Sequence, residues 1–160
     1  LLNGKIDFGF VDSGTYLKAL PELQTRPFMT EDLVLCCSKE FQRKYLQGGQ
    51  SLKILKSLPH IPYNREKEGL YKWYLHHFGK VPDFPLAITI DHPQGVLSAV
   101  MKGWGLGVVP RILIGSEIEN KIFIVNGPRA TLKSEILLAQ NKSRVPTRFE
   151  KIVISLLLQK

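Results

Sequence analysis

Hydrophobic residues in the segment 88–110 follow a strand, helix, strand pattern. Four apolar residues in its middle recur at helical spacing: Val96, Leu97, Val100 and Met101. Pro93 suits the first turn of that helix, and Gly103 stands where a left-handed cap would end it. Gly105 and Gly107 would let the following strand lie close to its neighbours. The segment is therefore predicted to be one unit of an α/β fold.

The same alternation continues along the whole chain. Apolar runs predict strands at residues 5–11, 33–37, 60–63, 122–125 and 135–139. Helical spacing or helix signals occur after Ser38 and at residues 52–58, 70–78, 112–119 and 147–157. Since strands and helices alternate, the pattern predicts an α/β fold with parallel-dominated sheets and flanking helices.

The last helix has its own start signal. Thr147 and Glu150 are spaced as a capping box. Apolar positions then follow at i, i+3, i+4, i+7 and i+8, and they are Phe149, Ile152, Val153, Leu156 and Leu157. This spacing predicts that these side chains pack against a sheet.

Composition narrows the class without naming a function. The chain has 160 residues, 44% of them hydrophobic and 22% charged, with a formal net charge of +8. Its basic residues are dispersed, which favours a diffuse positive field that attracts small anions over a surface that reads DNA. No apolar run approaches the roughly 20 residues of a membrane span.

Two adjacent cysteines, Cys36 and Cys37, lie on a predicted strand, where their side chains point to opposite faces. They are expected to be packed thiols, as in a protein of the reducing cytoplasm. Catalytic and metal-binding signatures are lacking in the sequence. The four histidines, for example, have no carboxylate or cysteine at ligand spacing, so neither a metal nor a cofactor is expected.

Three motifs together resemble one protein family. The segment 104–110, Trp-Gly-Leu-Gly-Val-Val-Pro, is similar to a signature of the effector-binding half of LysR-type transcriptional regulators. Residues 2–11, Leu-Asn-Gly-Lys-Ile-Asp-Phe-Gly-Phe-Val, are similar to a strand of that family. Residues 31–38, Glu-Asp-Leu-Val-Leu-Cys-Cys-Ser, are similar to its crossing strand. The order and approximate separations of the motifs also match.

The resemblance implies a two-lobed fold like that of type II periplasmic binding proteins. Lobe one would comprise residues 1–40 and 135–160, and lobe two residues 41–134. The first strand and helix of lobe one, and the DNA-binding domain, would lie upstream of Leu1. The chain would then be an N-terminally truncated effector domain.

A small-molecule effector would bind between the lobes, at loops that follow strand ends. Ten candidate contacts come from three loops and the hinge: Asp12, Ser13, Gly14, Thr15, Phe28, Asn64, Arg65, Glu68, Gly69 and Asp91. Each has a plainer alternative, such as a turn residue for the first group, solvent ion pairs for the 64–69 loop, and a helix N-cap for Asp91. The effector is expected to be polar, and anionic or zwitterionic.

The function that the resemblance implies is regulatory and not catalytic. Effector binding would change DNA binding by the full-length protein, which would be a homodimer or homotetramer and make no membrane contact. The alternative is a solute-binding protein of a transport system, which shares the fold. An enzyme on this fold would need a titratable pair that the sequence does not show.

Overall fold

A computed structural model describes residues 1–12 and 21–158, and this range excludes the candidate contacts Ser13, Gly14 and Thr15. The chain forms two compact units, Leu1–Glu31 with Lys133–Lys160 (unit 1) and Asp32–Leu132 (unit 2). The boundary expected near residue 40 from the resemblance thus falls at residue 31 in this division. The reason is that Leu33 to Ser38 are buried and contribute to the core of unit 2.

The elements follow the predicted alternation of strands and helices except before α4, where the strand predicted at the start of the segment 88–110 is replaced by an isolated bridge between Tyr63 and Ile90. The strands are β1 Phe8–Asp12, β2 Leu23–Ser38, β3 His60–Ile61, β4 Leu106–Pro110, β5 Ile122–Val125 and β6 Leu132–Asn141. The helices are α1 Lys39–Tyr45, α2 Leu52–Leu55, α3 Glu68–Phe78, α4 Pro93–Met101, α5 Ser116–Glu119 and α6 Arg148–Leu158, with a 3-10 turn at Arg111–Leu113. No helix in the described part of the chain is long and apolar enough to cross a membrane.

The sheet is mixed, so the expectation of parallel-dominated pairing is wrong. The strand order is β1-β6-β2-β4-β3, and β5 pairs with β2. The β1–β6, β2–β4 and β2–β5 pairs are antiparallel, whereas β3–β4 is parallel. β1, expected to be a buried parallel strand, is instead a half-exposed strand at one end of the order. The pattern of apolar residues indicates which side chains are buried and whether a segment is a strand or a helix, but it does not indicate which strands pair with each other.

Unit 2 contains two hydrophobic clusters on opposite faces of β2. Leu33, Leu35 and Cys37 belong to one cluster, which also contains Trp73 of α3. Val34 and Cys36 belong to the other, which contains apolar residues of α4. The side-chain period of two in a strand produces this split. Both faces are therefore covered, which explains why the run is continuously apolar.

The helix predicted in the segment 88–110 is confirmed. Pro93 occupies its first turn, and Gly103 follows its end at a φ of +75°. The N-cap is His92, whose Nδ1 accepts a hydrogen bond from the Gln94 N–H at 3.2 Å, so the alternative role of Asp91 as the cap is wrong. Asp91 stands one position too early, because the residue before a proline at the first helical position is the cap.

The capping box of α6 is confirmed, but its predicted buried face is wrong. The Glu150 N–H donates to Thr147 Oγ1 at 3.2 Å, and the Thr147 N–H donates to Glu150 Oε2 at 2.8 Å. The helix buries Glu150 and Ile154, whereas Phe149 is 75% exposed. Glu150 turns inward because it also accepts from Arg144 Nη2 at 2.6 Å, and this orientation leaves much of the apolar stripe outside.

Candidate functional site

The loop between β3 and α3 brings together several of the predicted contacts. Asn64 and Lys67 have left-handed backbone conformations, with φ values of 61° and 56°. The Asn64 N–H donates to the Ile90 carbonyl at 3.4 Å, and the Ile90 N–H donates to the Pro62 carbonyl at 3.2 Å. These bonds lay the 64–69 loop beside the segment that leads to Asp91. Two candidate loops, separate in sequence, are therefore neighbours in unit 2.

Asn64 carries a buried oxygen without a partner. Its Oδ1 is inaccessible to solvent and accepts no hydrogen bond from the described residues. Most buried side-chain oxygens in proteins accept at least one bond, because an unmade bond costs about 1–3 kcal/mol. The loop conformation therefore leaves one buried acceptor unmet, which is an energetic cost to the folded chain. Sequence reasoning named Asn64 but could not foresee this burial.

The N-terminus of α3 offers free backbone donors. The Tyr71 N–H already bonds to the Lys67 carbonyl, but the N–H groups of the first turn have no partner within the helix. No side chain caps this end, since Lys67 at the cap position supplies no acceptor. Such an end attracts anions through its N–H groups and the helix dipole. Gly69 lies in this first turn. If it carried a Cβ, that atom would lie 3.5 Å from Val108 Cγ1.

Charged side chains around the loop are distributed unequally. Arg65 is exposed and forms no ion pair with any described residue. Glu68 pairs with Lys72 one turn along α3, with Oε1 and Nζ 3.3 Å apart. This i,i+4 pair replaces the loop pairing that the sequence left open, and it partly neutralises the acid nearest the helix end. Arg65 is thus available to an anion, opposed by the exposed Glu66 and Asp91.

Unit 1 holds the two remaining described candidates. Asp12 ends β1, and its Oδ2 accepts a hydrogen bond from the Ser134 hydroxyl at 3.2 Å. Burial, and then the charge of Asp12, raise the pKa of Glu31, which sequence reasoning did not single out. Phe28 packs on Phe10 with ring centroids 4.3 Å apart. The resemblance gave Phe28 a ligand role, and the structure gives its ring an aromatic neighbour.

His60 is a fully buried titratable group of unit 2. A carbonyl can only accept, so His60 Nδ1 donates to the Leu58 carbonyl at 2.8 Å and Nε2 accepts from the Tyr74 hydroxyl at 2.7 Å. Burial lowers the pKa of His60 to about 4 and raises that of Tyr74. Both ring nitrogens are used by the fold, and the neutral imidazole faces no open site.

The cysteines are buried and unpaired, as expected from their spacing. Burial raises the pKa of the Cys36 thiol beyond its usual range and that of the Cys37 thiol to about 12. Thiols with such pKa values are protonated and unreactive at neutral pH. Among the described residues, no three His, Cys, Asp or Glu side chains gather as a metal site.

A mixed sheet flanked by helices, with ligand-type loops at strand ends, defines a small-molecule-binding module with a fold like that of type II periplasmic binding proteins. The sequence profile of the LysR substrate binding domain matches residues 1–160. The chain belongs to this family. A search of curated protein sequences found no match.

Several solved structures with a similar fold come from regulatory proteins. The CcmR regulatory domain of Synechocystis, in complex with 2-PG, superposes with a TM-score of 0.77 at 15% identity, over 98% of this chain and 74% of its own. The effector binding domain of QuiR, in complex with shikimate, gives 0.74 at 15% identity, over 99% of this chain and 73% of its own. DarR of Vibrio fischeri, in complex with DNA, gives 0.71 at 16% identity, over 99% of this chain and 52% of its own. These likenesses, at 15–16% identity, show the fold. The family match over residues 1–160 favours a regulatory domain over a transport protein.

Proposed function

We propose that this effector-binding domain takes a small anionic or zwitterionic molecule at the 64–69 loop of unit 2, and that binding modulates DNA binding by the full-length regulator. The observation that carries the proposal is the uncapped N-terminus of α3, which directly follows the loop with the unpaired Arg65 and the orphaned Asn64 oxygen. Backbone N–H groups and a planar guanidinium suit a carboxylate.

Charge balance around the loop favours an amino-acid-like zwitterion. Arg65 and the α3 N-terminus attract a carboxylate, whereas Glu66 and Asp91 attract an ammonium group. Asn64 Oδ1 is an acceptor that is closed to solvent in this conformation, so an ammonium or hydroxyl group would bond to it only after the loop opens. Glu68 and Gly69, which are also proposed effector contacts, lie in the first turn of α3. Asp12 and Phe28 are proposed as unit 1 contacts on the resemblance to the family.

The relatives supply the regulatory part of the proposal. CcmR and QuiR domains were solved with 2-PG and shikimate, and DarR was solved with DNA. A ligand shifts a conformational equilibrium only through its different affinities for the two states. The proposed role needs no catalytic step, and the protonated buried thiols fit a cytoplasmic regulator. The DNA contact is assigned to a domain outside this chain, since the basic residues here are dispersed.

A thermal-shift screen tests the effector site. Small carboxylates, amines and amino acids are added to the wild-type chain, to Arg65→Ala and to Lys53→Ala, an exposed control in the same unit. An amino acid is expected to raise the Tm of the wild type and of Lys53→Ala. Its affinity for Arg65→Ala should fall roughly tenfold, because one charge-assisted bond contributes about 1.5 kcal/mol. Equal stabilisation of all three proteins, or stabilisation by amines alone, would contradict the assignment.

Self-association is the second part of the proposal. The exposed apolar stripe of α6 includes Phe149 at 75%, Ile152 at 50% and Leu156 at 63% exposure. A two-fold contact between such stripes would bury them. Sedimentation is expected to show a homodimer or homotetramer that Phe149→Glu weakens at least roughly tenfold, while Lys142→Glu, an exposed control, has no effect. A monomer at every concentration would contradict this part.

A further inference from the structure

A cavity lies in unit 1, and none of its lining residues is among those proposed for the effector. Its volume is about 380 Å³, within the range of roughly 300–1,000 Å³ typical of small-molecule sites. Residues of β2, β6, α6 and the segment before α6 line it: Arg26, Gln140, Pro146, Lys151, Ile154, Ser155 and Leu158. All of them belong to the same compact unit.

The charged side chains found in the wall of this cavity are basic. Arg26 and Lys151 both line it, and none of the lining residues that the structure describes carries a carboxylate. Neither cation forms an ion pair with any residue in the ranges 1–12 and 21–158. The acid nearest in sequence, Glu150, is held by Arg144 Nη2 at 2.6 Å and by the Thr147 N–H. Two like charges on one concave wall repel each other, and a bound anion would relieve that repulsion.

The rest of the wall is suited to an apolar body. Ile154 is 4% exposed, and Leu158 and Pro146 extend the apolar surface. The methylene stems of long basic side chains add to it while their charged ends stay in water. Gln140 and Ser155 provide neutral polar groups. The wall therefore combines cations, a few hydrogen-bonding groups and aliphatic surface.

We propose that this cavity is a second ligand site, which takes a small carboxylate with an aliphatic body. The carboxylate binds Arg26 and Lys151, and the aliphatic part contacts Ile154 and Leu158. The site does not depend on the effector site proposed for unit 2, because the two share no residue. A ligand here would stabilise unit 1 by mass action.

Hexanoate is the probe, and hexanamide is its neutral control. Titrations of the whole chain are followed by amide NMR, with shifts expected at Gln140, Lys151 and Ser155. Arg26→Gln and Lys151→Gln are each expected to weaken hexanoate binding roughly three- to tenfold. Ser155→Trp, at an exposed position on the rim, should block it. Lys133→Gln, an exposed control in unit 1, should leave it unchanged, and Arg65→Gln in unit 2 should leave the shifts of the three unit 1 amides in place.

Three outcomes would overturn the proposal. Hexanamide could bind as well as hexanoate, which would remove the role of the cations. Ser155→Trp, shown by NMR to be folded, could leave binding unchanged. Hexanoate could fail to shift the three amides at all. Loss of binding in Arg65→Gln alone would instead place hexanoate at the unit 2 loop and leave the function proposed there intact.

Discussion

Replacing Gly105 with alanine is expected to lower the free energy of unfolding of unit 2 by about 3 kcal/mol. A Cβ at this position would lie 2.3 Å from the Pro59 carbonyl oxygen. Moving that oxygen would strain two hydrogen bonds. The oxygen accepts from the Leu106 N–H at 2.9 Å, and the N–H of the next residue, His60, donates to the Pro85 carbonyl at 2.8 Å. Relief of the clash therefore requires β3 and β4 to separate locally.

Urea unfolding, followed by the fluorescence of the buried Trp73, measures the effect. The matched control is Gly48→Ala in the same unit, where the nearest atom to a built Cβ is Ile54 Cδ1 at 3.6 Å. An ordinary van der Waals contact of this kind should change stability by less than about 0.5 kcal/mol. If Gly105→Ala lowered stability no more than Gly48→Ala, that result would contradict the close approach of the Gly105 and Pro59 backbones.

Acidification is expected to destabilise unit 2 through His60. The pKa of His60 is lowered from 6.5 to about 4 in the folded chain, so the unfolded chain binds a proton more readily between these values. Stability is therefore fully present above pH 6.5 and is lost as the pH falls towards 4. One pKa unit corresponds to 1.36 kcal/mol, so the loss from this group is about 3 kcal/mol.

The measurement is the slope of the unfolding free energy with pH between 7 and about 4. Burial also lowers the pKa of His77, which adds a contribution of the same sign. The double variant His60→Leu with Tyr74→Phe removes both side chains of the bonded pair, and its slope should be smaller than that of the wild type. An unchanged slope in the double variant would refute a neutral, buried His60.

The 64–69 loop, proposed as the effector site, shows where sequence reasoning reached its limit. Residue type and position after a strand were enough to select Asn64, Arg65 and Asp91 as candidates. The adjacency of the two loops depends on the hydrogen bonds that join residues 62–64 to Ile90, which are non-local. The pairing of Glu68 with Lys72 follows i,i+4 spacing and could have been predicted from the helix alone.

Local patterns by themselves determined the elements of this chain and several of their ends. Pro93 starts α4, Thr147 and Glu150 form the capping box of α6, and the apolar run at 33–37 forms part of β2. Each depends on interactions within a few residues, which a sequence pattern encodes directly. The family resemblance added the order of these elements and hence the fold class.

Only the tertiary structure decided which strands pair, which side of a helix is buried and whether an individual polar group has a hydrogen-bond partner. The antiparallel partners of β1 and β2, the inward turn of Glu150 and the orphaned oxygen of Asn64 all depend on residues far away in sequence. Apolar periodicity did not identify the buried face of α6, which holds Glu150 and Ile154, because Glu150 also bonds to Arg144 and Thr147 outside the helix. Burial and charge at one atom are sums over a whole neighbourhood, and that neighbourhood exists only once the chain has folded.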